Sequence, residues 1–152
     1  MTNVLVRKKT IYKYAMIVED ERDLCHLLGV VLKKNDVPST CVYSIREARD
    51  SIKRIKPSII FLDNHLPDGA GADFIEQAKA IYPGTKIIMI TAHDSPSDIS
   101  EAFDRGADFF ISKPFNSSTI KTTLDFFNTQ RKWRYLFSFS LVEQFPQNIF
   151  YF

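Results

Sequence analysis

The sequence predicts an α/β domain in which a parallel five-stranded sheet carries helices on both faces. Five short apolar runs, rich in isoleucine, valine and phenylalanine, lie at residues 15–18, 41–43, 59–62, 87–90 and 109–111. The longer segments between them have hydrophobic residues at helical spacing. This alternation is typical of repeated βα units around a buried parallel sheet, so we predict a doubly wound fold.

The first two helices are predicted from their apolar stripes and from a cap. In the first helix, one face is formed by Leu24, Leu27, Leu28, Val31 and Leu32. The second helix begins at Ser44, because Ser44 and Glu47 have the spacing of a capping box. Its apolar residues are Ala48, Ile52 and Ile55.

The remaining three helices have equally clear boundaries. The third follows Gly71 and buries Phe74, Ile75, Ala78 and Ile81. The fourth has Ser95 as its cap, Pro96 at the first position and Gly106 at its end, with Ile99, Ala102 and Phe103 facing inward. The fifth begins near Asn116 and uses Ile120, Leu124 and Phe127.

One domain accounts for most of the chain, since 152 residues is the size of an ordinary single domain. We divide the chain into a basic N-terminal arm at 1–13, the α/β domain at 14–132 and an aromatic tail at 133–152. The net charge is only +2, and the arm holds bases without acids. A solvated extension explains this arm better than a nucleic-acid contact, so no nucleic-acid partner is predicted.

The sequence also predicts a cytoplasmic protein. Neither a signal peptide nor a long apolar stretch is recognisable, which argues against secretion and against a membrane partner. Cys25 in the first helix and Cys41 in the second strand are interpreted as small packed residues in a reducing compartment.

Polar side chains follow four of the predicted strands. Glu19 and Asp20 come after the first strand, Asp63 after the third, Thr91 after the fourth and Lys113 after the fifth. Open parallel sheets bind ligands beyond the carboxyl ends of their strands, so these groups converge if strands one and three are neighbours. Clustered carboxylates repel one another, and the predicted cofactor that holds them is Mg²⁺, with Mn²⁺ as an alternative.

A carboxylate in such a site is suited to accept a phosphoryl group. It can attack a phosphoryl donor and form an acyl phosphate. The charge on the transferred group is then balanced by the metal, an ammonium and a hydroxyl. Asp63 is the candidate acceptor, while Lys113 and Thr91 fit the other two roles.

Four segments resemble, in order and spacing, the receiver domain of two-component response regulators. They are Ile17-Val18-Glu19-Asp20-Glu21, Phe61-Leu62-Asp63-Asn64-His65-Leu66-Pro67-Asp68-Gly69, Thr91-Ala92 and Ser112-Lys113-Pro114-Phe115. The resemblance implies a flavodoxin-like sheet, as in chemotaxis receivers, with strand order 2-1-3-4-5. It also implies an aspartyl phosphate, and a sensor histidine kinase or histidine phosphotransfer protein as the donor.

The resemblance assigns the metal ligands. It implies that Asp63 is both the phosphorylated residue and a ligand, and that Asp20 binds the metal directly. Glu19 would bind directly or through water, and the backbone carbonyl of His65 would complete the protein ligands.

The resemblance also implies a conformational switch. Lys113 would contact the phosphoryl group and Thr91 would move towards it. Phe110 matches the aromatic position that partners the threonine, although it lacks the hydroxyl of a tyrosine and also fits an ordinary core role. A cis peptide bond is implied before Pro114.

Two histidines lie beside these positions. His65 follows Asp63 by two residues, and His93 follows Thr91 by two residues. We hypothesise that both side chains alter the rate at which the acyl phosphate is hydrolysed, with a pH dependence near neutrality. The alternative is a pair of solvated loop histidines.

The aromatic tail is unusual for a soluble domain. Residues 133–152 hold 8 of the 20 aromatic residues of the chain with one base and one acid. Alternating apolar residues at 135–141 are typical of a strand. The tail folds back on its own domain, pairs with a second subunit or docks on another protein; we favour a homodimer through 133–152.

Two other function classes fit less well. A haloacid dehalogenase-like phosphatase requires a second aspartate two residues after the nucleophile, where this chain has His65. A receiver-like module that acts without phosphorylation, through its aromatic tail, is the remaining alternative. We favour a stand-alone phosphorylatable receiver that catalyses only its own phosphorylation and dephosphorylation, and is not otherwise an enzyme.

Overall fold

The computed structural model describes residues 12–93, 95–133 and 149–150. The elements are, in chain order, β1 (Ala15–Val18), α1 (Arg22–Lys34), β2 (Ser39–Val42), α2 (Ile45–Ile55), β3 (Ile59–Asp63), β4 (His65–Leu66), β5 (Gly69–Ala70), α3 (Ala72–Ile81), β6 (Lys86–Thr91), α4 (Pro96–Asp104), β7 (Phe109–Ser112), α5 (Ser117–Trp133) and β8 (Ile149–Phe150). The five predicted strands and five predicted helices are all present.

The main sheet has the strand order β2-β1-β3-β6-β7-β8, and its first five strands are parallel. The short strands β4 and β5 form a separate antiparallel hairpin, so β6 and β7 are the fourth and fifth strands of the sheet. The predicted order 2-1-3-4-5 is therefore confirmed. The strand order reverses between β1 and β3, which is where such sheets bind ligands.

Helices cover both faces of the sheet, as predicted. Successive residues of a strand point to opposite faces, so Met16 and Val18 pack with α2 and α3, whereas Ile17 packs with α1 and α5. The central strands β1 and β3 are buried along their whole length. This burial explains why their sequences are continuous apolar runs and not alternating ones.

The predicted helix caps are in place. Ser44 accepts a hydrogen bond from the backbone N–H of Glu47 at 3.1 Å, and Ser95 accepts one from that of Asp98 at 3.2 Å. Asn116 caps α5, which begins one residue later.

A further cap comes from a residue that is distant in sequence. Asp68, in the turn between β4 and β5, accepts hydrogen bonds from the backbone N–H groups of Ile45 and Arg46, each at 2.9 Å. These bonds, the one from Arg46 first, lower the pKa of the Asp68 carboxyl below its ordinary value. The contact ties the loop after β3 to the start of α2.

The first helix differs from its predicted orientation. Leu27, expected on the buried stripe, is 46% exposed, while Cys25 is buried. The interpretation of Cys25 and Cys41 as free thiols is also wrong, because they form a disulfide between α1 and β2 with their Cα atoms 6.2 Å apart. Closing a loop of this size stabilises a fold by about 3 kcal/mol.

The described part of the tail lies at the edge of the sheet. β8 pairs antiparallel with β7, with Phe150 opposite Phe110 and Ile149 opposite Ile111. For these two residues the pairing matches the fold-back arrangement. The predicted strand pattern at 135–141 lies outside the described residues, as does most of the arm at 1–13. Among the described helices, none is long and apolar enough to cross a bilayer.

Candidate functional site

Three carboxylates converge at the carboxyl ends of β1 and β3. One oxygen from each of Glu19, Asp20 and Asp63 lies within 4.8 Å of the others. Glu19 and Asp63 are buried, whereas Asp20 is exposed at the mouth of the site. The convergence expected from the sequence is observed because Val18 of β1 is in register with Leu62 of β3.

The ammonium of Lys113 lies between the two buried carboxylates. Its Nζ donates to Oε2 of Glu19 and to Oδ2 of Asp63, each at 2.9 Å. Glu21 lies farther away, with Oε1 at 3.6 Å from the same nitrogen. The Lys113 side chain is itself only 15% exposed, so the ammonium and the two carboxylates interact where little water can reach them.

Burial and pairing act against each other on these groups. Burial raises the pKa of Glu19 above its ordinary value, although hydrogen bonds from Lys113 and Glu21 oppose the change. Burial acts to lower the pKa of Lys113, yet its hydrogen bonds to Asp63 and Glu19 together raise it. Lys113 therefore stays a cation, and its hydrogen bond offsets part of the cost of burying the charge of Glu19.

The other carboxylate oxygens are held by backbone N–H groups. Oε1 of Glu19 accepts from Glu21 N–H at 3.1 Å, and Oδ1 of Asp63 accepts from His65 N–H at 3.1 Å. Each buried acid thus receives one backbone bond and one bond from Lys113. This arrangement fixes the rotamers of both acids before any ligand binds.

Two residues that sequence reasoning did not assign to the site hold the loop after β3. A Cβ atom at Gly71 would lie 2.0 Å from the carbonyl oxygen of Asp63, so no other residue fits there without moving that strand end. Asn64 accepts from Gly71 N–H through its carbonyl at 2.9 Å and from Ala72 N–H through its side chain at 3.0 Å. The glycine directly before a helix was the available sequence signal.

Thr91 ends β6 beside the acids and is buried. Its hydroxyl accepts from the backbone N–H of His93 at 3.2 Å and lies 3.3 Å from Nδ1 of His65. The rings of His65 and His93 stack with their centroids 4.0 Å apart. Both histidines are exposed, and the ring of His65 is the one that contacts the hydroxyl of the buried threonine.

Phe110 and Pro114 occupy the positions expected from the sequence. Phe110 is 1% exposed and packs in the cluster that contains Met89, Ile99 and Ala102. It points to the same face of the sheet as Thr91, because Met89 is its register partner and Thr91 lies two residues further along. The peptide bond before Pro114 is cis, as expected.

The carboxylates fit a hard divalent cation. Three carboxylates grouped around one point carry more negative charge than the single ammonium of Lys113 can balance, so they make a set that Mg²⁺ can complete with water and phosphate oxygens. A cavity of about 440 Å³, lined by Asp20, Asn64 and His65 among others, opens beside the exposed acid. Asn64, which lines this cavity, directly follows Asp63 in the chain, so the cavity opens beside the end of β3.

Comparisons with known proteins identify the same pattern. The profile of the family described as the response regulator receiver domain matches residues 15–125. The response regulator protein PilR of Pseudomonas aeruginosa is 31% identical over 107 residues, which are 70% of this chain and 24% of PilR. The transcriptional regulatory protein CitB of Klebsiella pneumoniae is 35% identical over 120 residues, which are 76% of this chain and 50% of CitB.

Solved structures agree with the sequence comparisons. The signal receiver domain of a putative LuxO repressor from Vibrio parahaemolyticus has a TM-score of 0.72 at 30% identity, covering 80% of this chain and 94% of that one. The beryllofluoride-activated NtrC4 receiver domain dimer has a TM-score of 0.72 at 29% identity, covering 77% and 97%. The present chain spans half or less of the curated relatives named above.

Replacing Lys113 by Met tests the shared ammonium. The change leaves two buried carboxylates without their counter-charge, so we expect the free energy of unfolding at pH 7 in chelator to fall by about 3 kcal/mol. Added Mg²⁺ should restore more stability to the variant than to the wild type, because the cation takes the place of the missing charge. Urea unfolding measures both effects.

The matched control is Lys121→Met, which removes an exposed ion pair with Asp125. That change should cost no more than about 0.5 kcal/mol. Equal losses in the two variants would show that Lys113 is not needed to neutralise the site.

Proposed function

Since this chain belongs to the response regulator receiver domain family, we propose that it accepts a phosphoryl group on Asp63 and signals through a conformational switch. The observation that carries this proposal is the position of Asp63. Its side chain is buried at a strand end, within 2.9 Å of the Lys113 ammonium and beside two further carboxylates. Receiver domains are phosphoacceptor signalling modules and not conventional enzymes.

The proposed metal ligands are Glu19, Asp20, Asp63 and the backbone carbonyl of His65. Receiver domains bind Mg²⁺ at an acidic cluster, and such a cluster is present here; Mn²⁺ is the alternative cation. When bound, the cation neutralises charge on the carboxylates and on the phosphoryl oxygens. The exposed position of Asp20 supports entry of the ion from solvent.

The proposed donor is a phosphohistidine on a sensor histidine kinase or a histidine phosphotransfer protein. A carboxylate oxygen of Asp63 attacks phosphorus, the phosphorus–nitrogen bond breaks, and the imidazole leaves with its electron pair. Lys113 then exchanges its hydrogen bond to Asp63 for one to a phosphoryl oxygen. This exchange stabilises the transferred charge without proton transfer.

Thr91 and Phe110 are the proposed switch residues. The Thr91 hydroxyl now contacts the His65 ring and the His93 backbone, and it would turn to a phosphoryl oxygen on Asp63. The space it leaves lies on the face of the sheet to which Phe110 points. The expected output is a shift in the populations of the inactive and active conformations of α4, β7 and α5.

His65 and His93 are proposed to modulate the lifetime of the phosphoryl group, and Pro114 to shape the loop that carries Lys113. The stacked imidazoles support this role because the ring of His65 contacts the Thr91 hydroxyl and the ring of His93 packs against the His65 ring. Rings held beside the site would hinder the approach of the water that hydrolyses the acyl phosphate.

The proposal extends to the organisation of the chain. We propose that residues 14–132 act as a stand-alone receiver in the cytoplasm, without a direct nucleic-acid or membrane contact, and that residues 133–152 form a homodimer by exchanging β8. The antiparallel ladder between β8 and β7 is formed within one chain, but a second subunit can supply the same strand to the same edge. The NtrC4 receiver domain, a structural relative, is described as a dimer.

The phosphoacceptor is tested by intact mass after incubation with Mg²⁺ and a small acyl-phosphate donor. We expect the wild type to gain the mass of one phosphoryl group, and Asp63→Asn to gain none. Chelator should abolish the gain in the wild type. The control is Asp73→Asn, which alters an exposed acid of α3 and should leave the gain intact. An unmodified wild type that remains folded would remove the proposal.

The histidine pair is tested by the lifetime of the phosphorylated protein. Changing both His65 and His93 to Ala uncovers Thr91, so we expect hydrolysis to accelerate by about threefold or more. Decay of the phosphorylated mass from pH 6 to pH 8 is the measurement, with His26→Ala as the matched control on α1. The same lifetime in both proteins at every pH would contradict this role.

The homodimer is tested by molar mass in solution. Light scattering should give the mass of two chains for the whole protein and of one chain after deletion of residues 134–152. If both proteins have the mass of one chain, β8 pairs within its own subunit and the exchange is excluded.

A further inference from the structure

The Cys25–Cys41 disulfide lies beside an open cavity on the side of α1 and β2. The cavity has a volume of about 640 Å³ and is lined by both cysteines together with His26, Gly29, Lys33 and Ser39 among others. Cys25 is 1% exposed, whereas Cys41 is half-buried. A molecule that enters the cavity therefore meets the Cys41 residue first.

A disulfide at this position is unexpected for the proposed location of the protein. Structural disulfides are rare in the cytoplasm, and those that occur there are usually transient and redox-responsive. The pair closes a loop with a sequence separation of 16 residues, and both segments that it joins are also held by helix and sheet hydrogen bonds. Both redox states are thus compatible with the fold.

We propose that Cys25 and Cys41 form a reversible thiol–disulfide site for small thiols of the glutathione class, and that its redox state sets the rate at which Asp63 accepts a phosphoryl group. The second half of this proposal rests on the function proposed above. Lys33 and Asp36 both line the cavity, so a thiol of the glutathione class, which carries carboxylates and an ammonium, meets a side chain of opposite charge for each.

The reduction proceeds in two exchanges. The thiolate of one small thiol attacks Sγ of Cys41, which forms a mixed disulfide and releases Cys25 as a thiolate. The thiolate of a second small thiol then attacks the small-molecule sulfur of the mixed disulfide. A small-molecule disulfide is formed, and Cys41 is released as the second protein thiolate. The two protein thiolates take up the two protons of the small thiols, and two electrons pass to the protein. Oxidation is the reverse sequence, with the small disulfide as the oxidant.

The cysteine pair is connected to Glu19 and Asp20 by backbone hydrogen bonds. Cys25 donates from its N–H to the carbonyl of Glu21 at 2.9 Å, in the segment between the acids and α1. On the other side, Val42 follows Cys41 and its carbonyl accepts from Glu19 N–H at 3.0 Å. The disulfide thus joins the two segments that border Glu19 and Asp20. Reduction allows α1 to move relative to β2 and loosens the pocket.

The first measurement is thiol content in buffers with varied ratios of reduced to oxidised glutathione. After quenching and alkylation, intact mass should change from no modified cysteine to two across the series. At early times one glutathione should be found on Cys41. A protein that keeps its disulfide in every buffer, or that never forms it, would show that the pair is not a reversible site.

The second measurement is the rate of Asp63 phosphorylation by a small acyl phosphate in the oxidised and reduced wild type. We expect the oxidised form to react about threefold faster. The control is the variant with Cys25→Ala and Cys41→Ala, whose rate should be the same in both buffers. Equal rates for the two wild-type forms would overturn the coupling.

The two measurements separate this inference from the proposed function. Thiol content does not depend on phosphorylation, and Asp63→Asn should give the wild-type thiol series. If Asp63 gains no phosphoryl group in either redox state, the coupling is refuted together with the proposed function. The thiol series then still decides whether the cysteine pair is a reversible site.

Discussion

The ammonium that Glu19 and Asp63 share is the interaction on which the site depends. Two carboxylates buried at neighbouring strand ends would repel each other and lose their hydration, and one lysine from a third strand offsets both costs. Because Lys113 directly follows the carboxyl end of β7, the contact also requires that the sheet be assembled. The charges of the site can therefore be balanced only when the tertiary fold is formed.

The loop after β3 gives this balance its geometry. Gly71 brings the backbone against the carbonyl of Asp63, Asn64 closes the turn into α3, and Asp68 ties the hairpin to α2. These contacts fix the position of the strand end that carries Asp63. A carboxylate held in place before a ligand binds would reduce the reorganisation that phosphoryl transfer requires, which suits the function proposed for this site.

Two further contacts lie at opposite edges of the sheet. At one edge, the disulfide joins α1 to β2 next to the acids. At the other, β8 pairs with β7 beside Phe110, the proposed switch residue, so an edge that would otherwise offer unpaired backbone groups is occupied. The proposed redox site and the tail pairing thus lie on different sides of the proposed phosphorylation site.

The sequence by itself determined the fold class and the identity of the converging side chains, and its resemblance to a family implied the strand order. Local patterns carry the first two: buried parallel strands are continuous apolar runs, and the acids, Thr91 and Lys113 follow those runs directly. The caps at Ser44 and Ser95 were predictable for the same reason, since each depends on a few neighbouring residues.

Tertiary structure alone decided the exposure of Leu27, the bond between Cys25 and Cys41, the cap from Asp68, the stacking of His65 on His93 and the pairing of β8 with β7. Each of these features joins segments that are distant along the chain. Their distances depend on how helices rotate against the sheet and how loops close. No periodicity or spacing in the sequence encodes that geometry.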